Sequence, residues 1–149
     1  MEIQFRLIRA NELSSLLDLY KYLHSDESPL PAEELLNQVW DSFLTDPKIH
    51  CVVGDVEGRL AASCTLVVIP NLTRGARPYG LIENVVTHPE YRNKGIGSSL
   101  LRYTLQLAWE KQCYKVMLLT GRQEEETLRF YEKAGFKRGV KTGFIAKPD

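Results

Sequence analysis

Residues 81–109 read LIENVVTHPEYRNKGIGSSLLRYTLQLAW, and the order of residue types in this stretch decides the fold. Apolar and β-branched residues over 81–87, interrupted by Glu83 and Asn84, form a strand that stops at the turn residues His88 and Pro89. The turn delivers Arg92, Asn93, Lys94, Gly95, Ile96 and Gly97, after which Leu100, Leu101, Thr104, Leu105 and Ala108 recur at helical spacing. A strand therefore feeds a glycine-bearing loop that opens a long amphipathic helix.

The first turn of a helix leaves backbone N–H groups without partners and carries the positive end of the macrodipole, so it suits an anion such as phosphate. Gly95 and Gly97 let backbone amides approach phosphate oxygens and permit positive φ where the loop bends inward. Arg92 and Lys94 add local positive charge. The dinucleotide fingerprint requires a third glycine where this chain has Leu100, and the Walker A spacing is absent.

The pattern that fits is Arg/Gln-x-x-Gly-x-Gly/Ala, carried by Arg92, Gly95 and Gly97. A second block, RFYEKAGFKR with Phe130, Tyr131, Gly135 and Phe136, follows at a matching separation. Together they resemble the acetyl-CoA loop and the closing Phe-Tyr-x-x-x-Gly-Phe segment of the GNAT superfamily of N-acetyltransferases. The resemblance covers nearly the whole chain. It implies an α/β (α+β) fold: a mixed central sheet of about six to seven strands flanked by four helices, splayed between strands 4 and 5 where the cofactor enters.

Composition sets the bounds. At 149 residues the length predicts one domain spanning 1–149. Nineteen basic residues balance nineteen acidic ones, so no global field attracts nucleic acid or a membrane, and any anion site must be local. The absence of a long apolar run and of a cationic, hydrophobic leader leads to the expectation of a soluble, cytoplasmic protein. Cys51, Cys64 and Cys113 show no metal spacing, so neither a zinc site nor a disulfide frame is expected, and no metal is predicted.

In chain order, Ile3, Phe5 and Leu7 alternate as an opening strand, and Asn11 can cap a helix that buries Leu13, Leu16, Leu17, Tyr20 and Leu23. A polar loop over 24–30 precedes a second helix with Leu36, Val39, Trp40 and Phe43 as its buried stripe, ended at Asp46-Pro47. Residues 49–53 and 60–69 form a hairpin around Glu57-Gly58, and PNLTRGARP, residues 70–78, returns to the central strand. Residues 115–120 are a fifth strand, parallel to the central one through the crossover helix. A helix from about 124 to 134 ends on Gly135 as a left-handed cap, and two short strands near 136–139 and 142–146 are expected to finish the chain.

The resemblance also implies roles. Acetyl-CoA is the expected co-substrate, with its pyrophosphate held by Arg92, Asn93, Lys94, Gly95, Ile96, Gly97 and Ser98, mainly through main-chain amides. Val85, Val86 and Thr87 would pair with the pantetheine arm through backbone groups, and an amide of Val85 or Val86 would hold the thioester oxygen. Tyr131 matches the tyrosine that protonates the departing thiolate; packing of the last helix on the sheet is its other reading. Glu83 is the candidate general base, with a structural hydrogen bond or substrate anchoring as alternatives. Amino-sugar phosphate N-acetyltransferases have Ile-Glu-Asp-Val-Val where this chain has Ile82-Glu83-Asn84-Val85-Val86, so the second acid is an amide here, and Asn84 is a candidate for orienting substrate. Glu124 and Thr127 stand where many members have Asn and Ala, which departs from a pantetheine contact.

Arg74 and Arg77 suggest an anionic group on the acceptor, or are solvated loop charge. The expected activity is acetyl transfer to a primary amine of a small molecule by direct attack in a ternary complex. The alternatives are a non-catalytic acyl-CoA-binding sensor or interaction module, and a protein or peptide amine acetyltransferase. No nucleic-acid or membrane partner is expected, and the family's frequent dimers make a homodimer one expectation.

Overall fold

The computed structural model describes residues 1–24 and 28–148; Ser25, Asp26 and Glu27, part of the polar loop expected over 24–30, lie outside the described residues. The elements run β1 (Ile3–Leu7), α1 (Leu13–Tyr20), α2 (Glu33–Thr45), β2 (Ile49–Val56), β3 (Arg59–Ile69), α3 (Thr73–Ala76), β4 (Tyr79–Thr87), α4 (Ile96–Glu110), β5 (Val116–Leu118) and α5 (Glu125–Lys133). Short 3₁₀ turns at Ala10–Glu12 and Pro89–Tyr91 introduce α1 and the loop before α4. The sheet order is β1-β2-β3-β4-β5, antiparallel throughout except for the parallel β4–β5 pair.

Helices cover both faces of this sheet, so its central strands read as nearly continuous apolar runs. Val52 faces Ile82, Ile96, Leu100 and Leu101 on the α4–α5 side, while Val53 faces Leu16, Leu19 and Trp40 on the α1–α2 side. Trp40 satisfies its indole N–H on the Ala10 carbonyl at 3.0 Å, which ties α2 to the start of α1. Arg6 binds Glu12 at 2.8 Å and Asp55 at 3.0 Å, joining β1, the first 3₁₀ turn and β2 in a largely buried ionic triad.

Several sequence expectations need correction. Asn11 does not cap α1; it lies inside the 3₁₀ turn, and Glu12 reaches back to the Arg9 amide at 2.8 Å. Val39 is exposed on α2, and Leu44 joins Trp40 and Phe43 against the sheet instead, a small rotation of the apolar stripe. The fifth strand covers only residues 116–118.

Among the described residues the sheet has five strands, and the two short strands expected near 136–139 and 142–146 are absent. Alternating side chains can bias a segment toward extension, but a strand also needs a neighbour for its N–H and C=O groups. Residues 136–148 pair with no strand, and Val140, Phe144 and Ile145 are exposed.

The end of α5 follows the expectation. Gly135 adopts φ +111°, its N–H bonds to the Glu132 carbonyl at 3.0 Å, and the Phe136 N–H bonds to the Tyr131 carbonyl at 3.2 Å. These are the two bonds of a Schellman cap.

Candidate active site

The β4–β5 ladder contains three pairs, Gly80–Val116, Leu81–Met117 and Ile82–Leu118, and stops there. β4 continues to Thr87 without a partner on that side. Residues 82–87 and 118–122 then line one cleft of about 1320 Å³, together with the start of α4, the inner side of α5, and Tyr22, Leu23 and His24 from beyond α1.

A bulge in β4 re-aims the strand at this point. Ser63 faces Val86 and Thr65 faces Glu83, so Asn84 and Val85 together oppose the single residue Cys64. Asn84 takes φ +54°, a left-handed conformation that asparagine tolerates better than most residues. The extra residue interrupts the ladder and moves Val85 to the α4–α5 face, leaving Val86 on the α1–α2 face. Without it, every later side chain of β4 would lie on the opposite face.

Glu83 shares the α1–α2 face with Thr65 and Cys51, its successive cross-strand partners. Tyr131 packs into the cluster on the other face, edge-on to Phe130 at 5.0 Å and to Phe136 at 6.3 Å between ring centroids. Both residues line the cleft. A group in the cleft beside the unpaired part of β4 would thus meet a carboxylate from one face and a phenol from the other. Burial pushes the Tyr131 phenol above the ordinary tyrosine value, opposed by the positive charge of Arg122. The phenol is therefore protonated at neutral pH and can donate.

The loop into α4 has two left-handed residues, Asn93 at φ +60° and Gly95 at φ +78°, the latter capping the helix. Ser99 is the first amide to close onto a helical carbonyl, that of Gly95 at 3.0 Å, so the amides of Ile96, Gly97 and Ser98 lack intrahelical partners. Gly97 is bare for a packing reason: a Cβ there would stand 2.9 Å from the Phe130 ring and 3.0 Å from Thr87 Oγ1. The missing side chain brings the start of α4 against both β4 and α5.

Of the residues expected to hold the cofactor, 85–87, 92, 93 and 95–98 line the cleft. Lys94 is not among the lining residues; its ammonium lies 5.8 Å from the Tyr91 ring centroid. Arg92 donates from Nε to the Thr87 carbonyl at 3.0 Å, pinning the loop to the end of β4. Arg74 and Arg77 are placed elsewhere: both guanidinium groups lie 5.9 Å from the Tyr114 ring centroid, away from the cleft lining.

The sequence reading missed Arg122, Arg129 and Lys133, which line the cleft from the β5–α5 connection and from α5. The like charges four residues apart at 129 and 133 were the available signal. Cys51, Cys64 and Cys113 are buried outside the cleft lining, and burial pushes each thiol up, Cys64 to about 12. Among the described residues no His, Cys, Asp and Glu group of three or more could hold a metal ion.

A sequence profile described as the Acetyltransferase (GNAT) family matches residues 13–136. A glucosamine 6-phosphate N-acetyltransferase of Trypanosoma brucei brucei is 35% identical over 142 residues, covering 92% of this chain and 90% of that protein. A thialysine N-epsilon-acetyltransferase of Sus scrofa is 26% identical over 133 residues, covering 84% and 76%. The solved structure of a candidate acetyltransferase from Agrobacterium tumefaciens superposes with a TM-score of 0.91 at 39% identity, covering 97% of this chain and 99% of that one.

Proposed function

The chain belongs to the GNAT acetyltransferase family, and from that premise we propose that it moves the acetyl group of acetyl-CoA to a primary amine of a small molecule by direct attack within a ternary complex. The observation that carries this reading is the cleft itself, with Glu83 and Tyr131 on opposite faces of the sheet and the start of α4 at its side.

Acetyl-CoA supplies the activated acetyl thioester. The free amides of residues 96–98, the left-handed Gly95 and the local charge of Arg92 fit its pyrophosphate. Backbone groups of residues 85–87, unpaired on the β5 side, fit the amides of an extended arm as a further strand would. Glu83 takes the proton from the incoming ammonium, directly or through water, and the neutral Tyr131 phenol gives a proton to the sulfur as it leaves. The burial of all three thiols outside the cleft supports direct attack over an acetyl-cysteine step.

The similarity to a glucosamine 6-phosphate N-acetyltransferase over most of both chains favours an amino-sugar phosphate as acceptor. The similarity to a thialysine N-epsilon-acetyltransferase makes small aliphatic amines the second class to assay. The test is acetyl-CoA-dependent thiol release across amino-sugar phosphates, thialysine-like amines and peptide amines, with calorimetric cofactor binding in the same preparation. Release with one amine class supports the proposal and names the acceptor. Tight binding without release from any of them would replace it with a non-catalytic acyl-CoA-binding module.

A further inference from the structure

Arg129 and Lys133 line the cleft from α5, and the proton transfers proposed for Glu83 and Tyr131 do not call on them. Four residues apart on one helix face, they repel each other, and their local relief is slight. Arg129 approaches Glu125 only to 3.7 Å, and that carboxylate is already held by Arg138 at 2.7 and 3.2 Å. Lys133 forms no ion pair among the described residues.

Two contacts bring the helix that carries these cations against α4. Phe130, adjacent to Arg129, lies so close to Gly97 that a Cβ there would be 2.9 Å from its ring. Arg102, in the second turn of α4, donates to Ser99 Oγ at 3.2 Å within its own helix and to the Lys133 carbonyl at 3.5 Å, so the end of α5 lies beside the N-terminal half of α4. Glu126 lines the same cleft one turn earlier on α5, which leaves the positive field at the C-terminal half of that helix. In a chain of zero formal net charge, two cations share a cleft wall next to an anion-suited helix start.

Resting on the acetyl-CoA reading, we propose that Arg129 and Lys133 recognise the 3′-phosphate of the cofactor's adenosine. Besides its pyrophosphate, coenzyme A has a phosphate monoester on the ribose, separated from the pyrophosphate by that one sugar. With the pyrophosphate at the amides of residues 96–98, a monoester one sugar away would have the cations of the adjoining cleft wall as its partners. Partial charges of a helix start suit the shared charge of a pyrophosphate, whereas a monoester near its second ionisation calls for full cations. Arginine meets it with a planar fork and lysine with a mobile point charge. An anion between them also offsets the repulsion between the two like charges.

The experiment is calorimetric titration of the full chain with acetyl-CoA and with acetyl-3′-dephospho-CoA, for the wild type and for Arg129→Gln/Lys133→Gln. The wild type is expected to bind acetyl-CoA on the order of 10-fold tighter than the dephospho compound. The double variant erases that ratio and leaves affinity for the dephospho compound unchanged, while Arg129→Lys alone keeps part of the ratio, which a folding defect would not do. Both side chains are exposed, so the variants test recognition without emptying the core. Equal wild-type affinity for the two compounds, or a ratio that survives in the double variant, overturns the assignment and leaves the transferase reading intact. Failure of the wild type to bind acetyl-CoA at all overturns both.

Discussion

Replacing Gly97 with alanine separates two reasons for a glycine at the start of α4. If the bare Cα serves only phosphate approach, the folded chain without cofactor should not notice an added methyl group. The geometry says otherwise: the new Cβ meets Phe130 ring carbons at 2.9 and 3.0 Å and Thr87 Oγ1 at 3.0 Å, against an optimum of about 3.5–4.0 Å between carbon atoms. One obstacle packs in the core and the other ends β4, so neither retreats freely. Overpacking of this kind costs about 1–3 kcal/mol; at about 2 kcal/mol, Tm for a chain of this size falls by about 4–8 °C. Cofactor affinity falls as well, because the first turn of α4 must move away from β4.

The assay is urea and thermal unfolding, paired with acetyl-CoA titration, on Gly97→Ala, Phe130→Leu and the double variant. Leucine withdraws the ring atoms that the methyl group strikes, so the double variant should be more stable than the sum of single effects by about 1 kcal/mol. Gly95→Ala is the control, since its Cβ meets nothing within 4 Å and its cost comes from φ +78° alone; it should show no coupling to Phe130. Full stability of Gly97→Ala, or strict additivity with Phe130→Leu, refutes the packing argument.

Tyr131→Phe should lower kcat by about 10²-fold or more, the lower range for a lost general acid, while acetyl-CoA affinity stays unchanged; an unaltered rate would return Tyr131 to a packing role. Because burial raises its pKa, the protonated phenol persists through neutral pH, and a basic limb of kcat against pH should appear above the ordinary tyrosine value of about 10. At the far edge of the sheet, hydrogen bonding from Arg6 holds the Glu12 carboxyl below the usual carboxylate range. Its stabilising contribution is therefore present above the unfolded pKa of about 4.3 and is lost as pH falls through the lower folded value. Glu12→Gln should cost about 2 kcal/mol in urea unfolding at pH 7 and flatten the decline of stability below pH 4; equal slopes in both proteins would show that the triad is not responsible.

Legibility followed the range of the interaction. The β4–loop–α4 passage was readable because apolar period, turn residues and two glycines act within a few residues of one another, and of the expected stripe Leu100, Leu101, Thr104 and Ala108 are buried on α4 while Leu105 is half-buried. Gly135 was readable for the same reason, a cap being a local hydrogen-bond pattern. The two terminal strands were misread because alternation is local and pairing is not. The bulge at Asn84 escaped notice because it is a mismatch of register between two strands, and β4 alone contains no sign of which residues Cys64 faces.

The site divides along the same line. The resemblance carried by two short blocks was enough to name the family, and from it came the expectations of a cofactor loop and of two proton-transfer candidates. Sequence could not say that Glu83 and Tyr131 reach one cleft from opposite faces, that Arg74 and Arg77 rest on Tyr114, or that Arg122, Arg129 and Lys133 line the cleft in their stead. Local propensities depend on neighbours in the chain and can be read along it, whereas the meeting of distant side chains depends on register, on where a ladder ends and on how closely two helices approach. Here those are the last β4–β5 pair at Ile82–Leu118 and the bare Cα of Gly97 against Phe130.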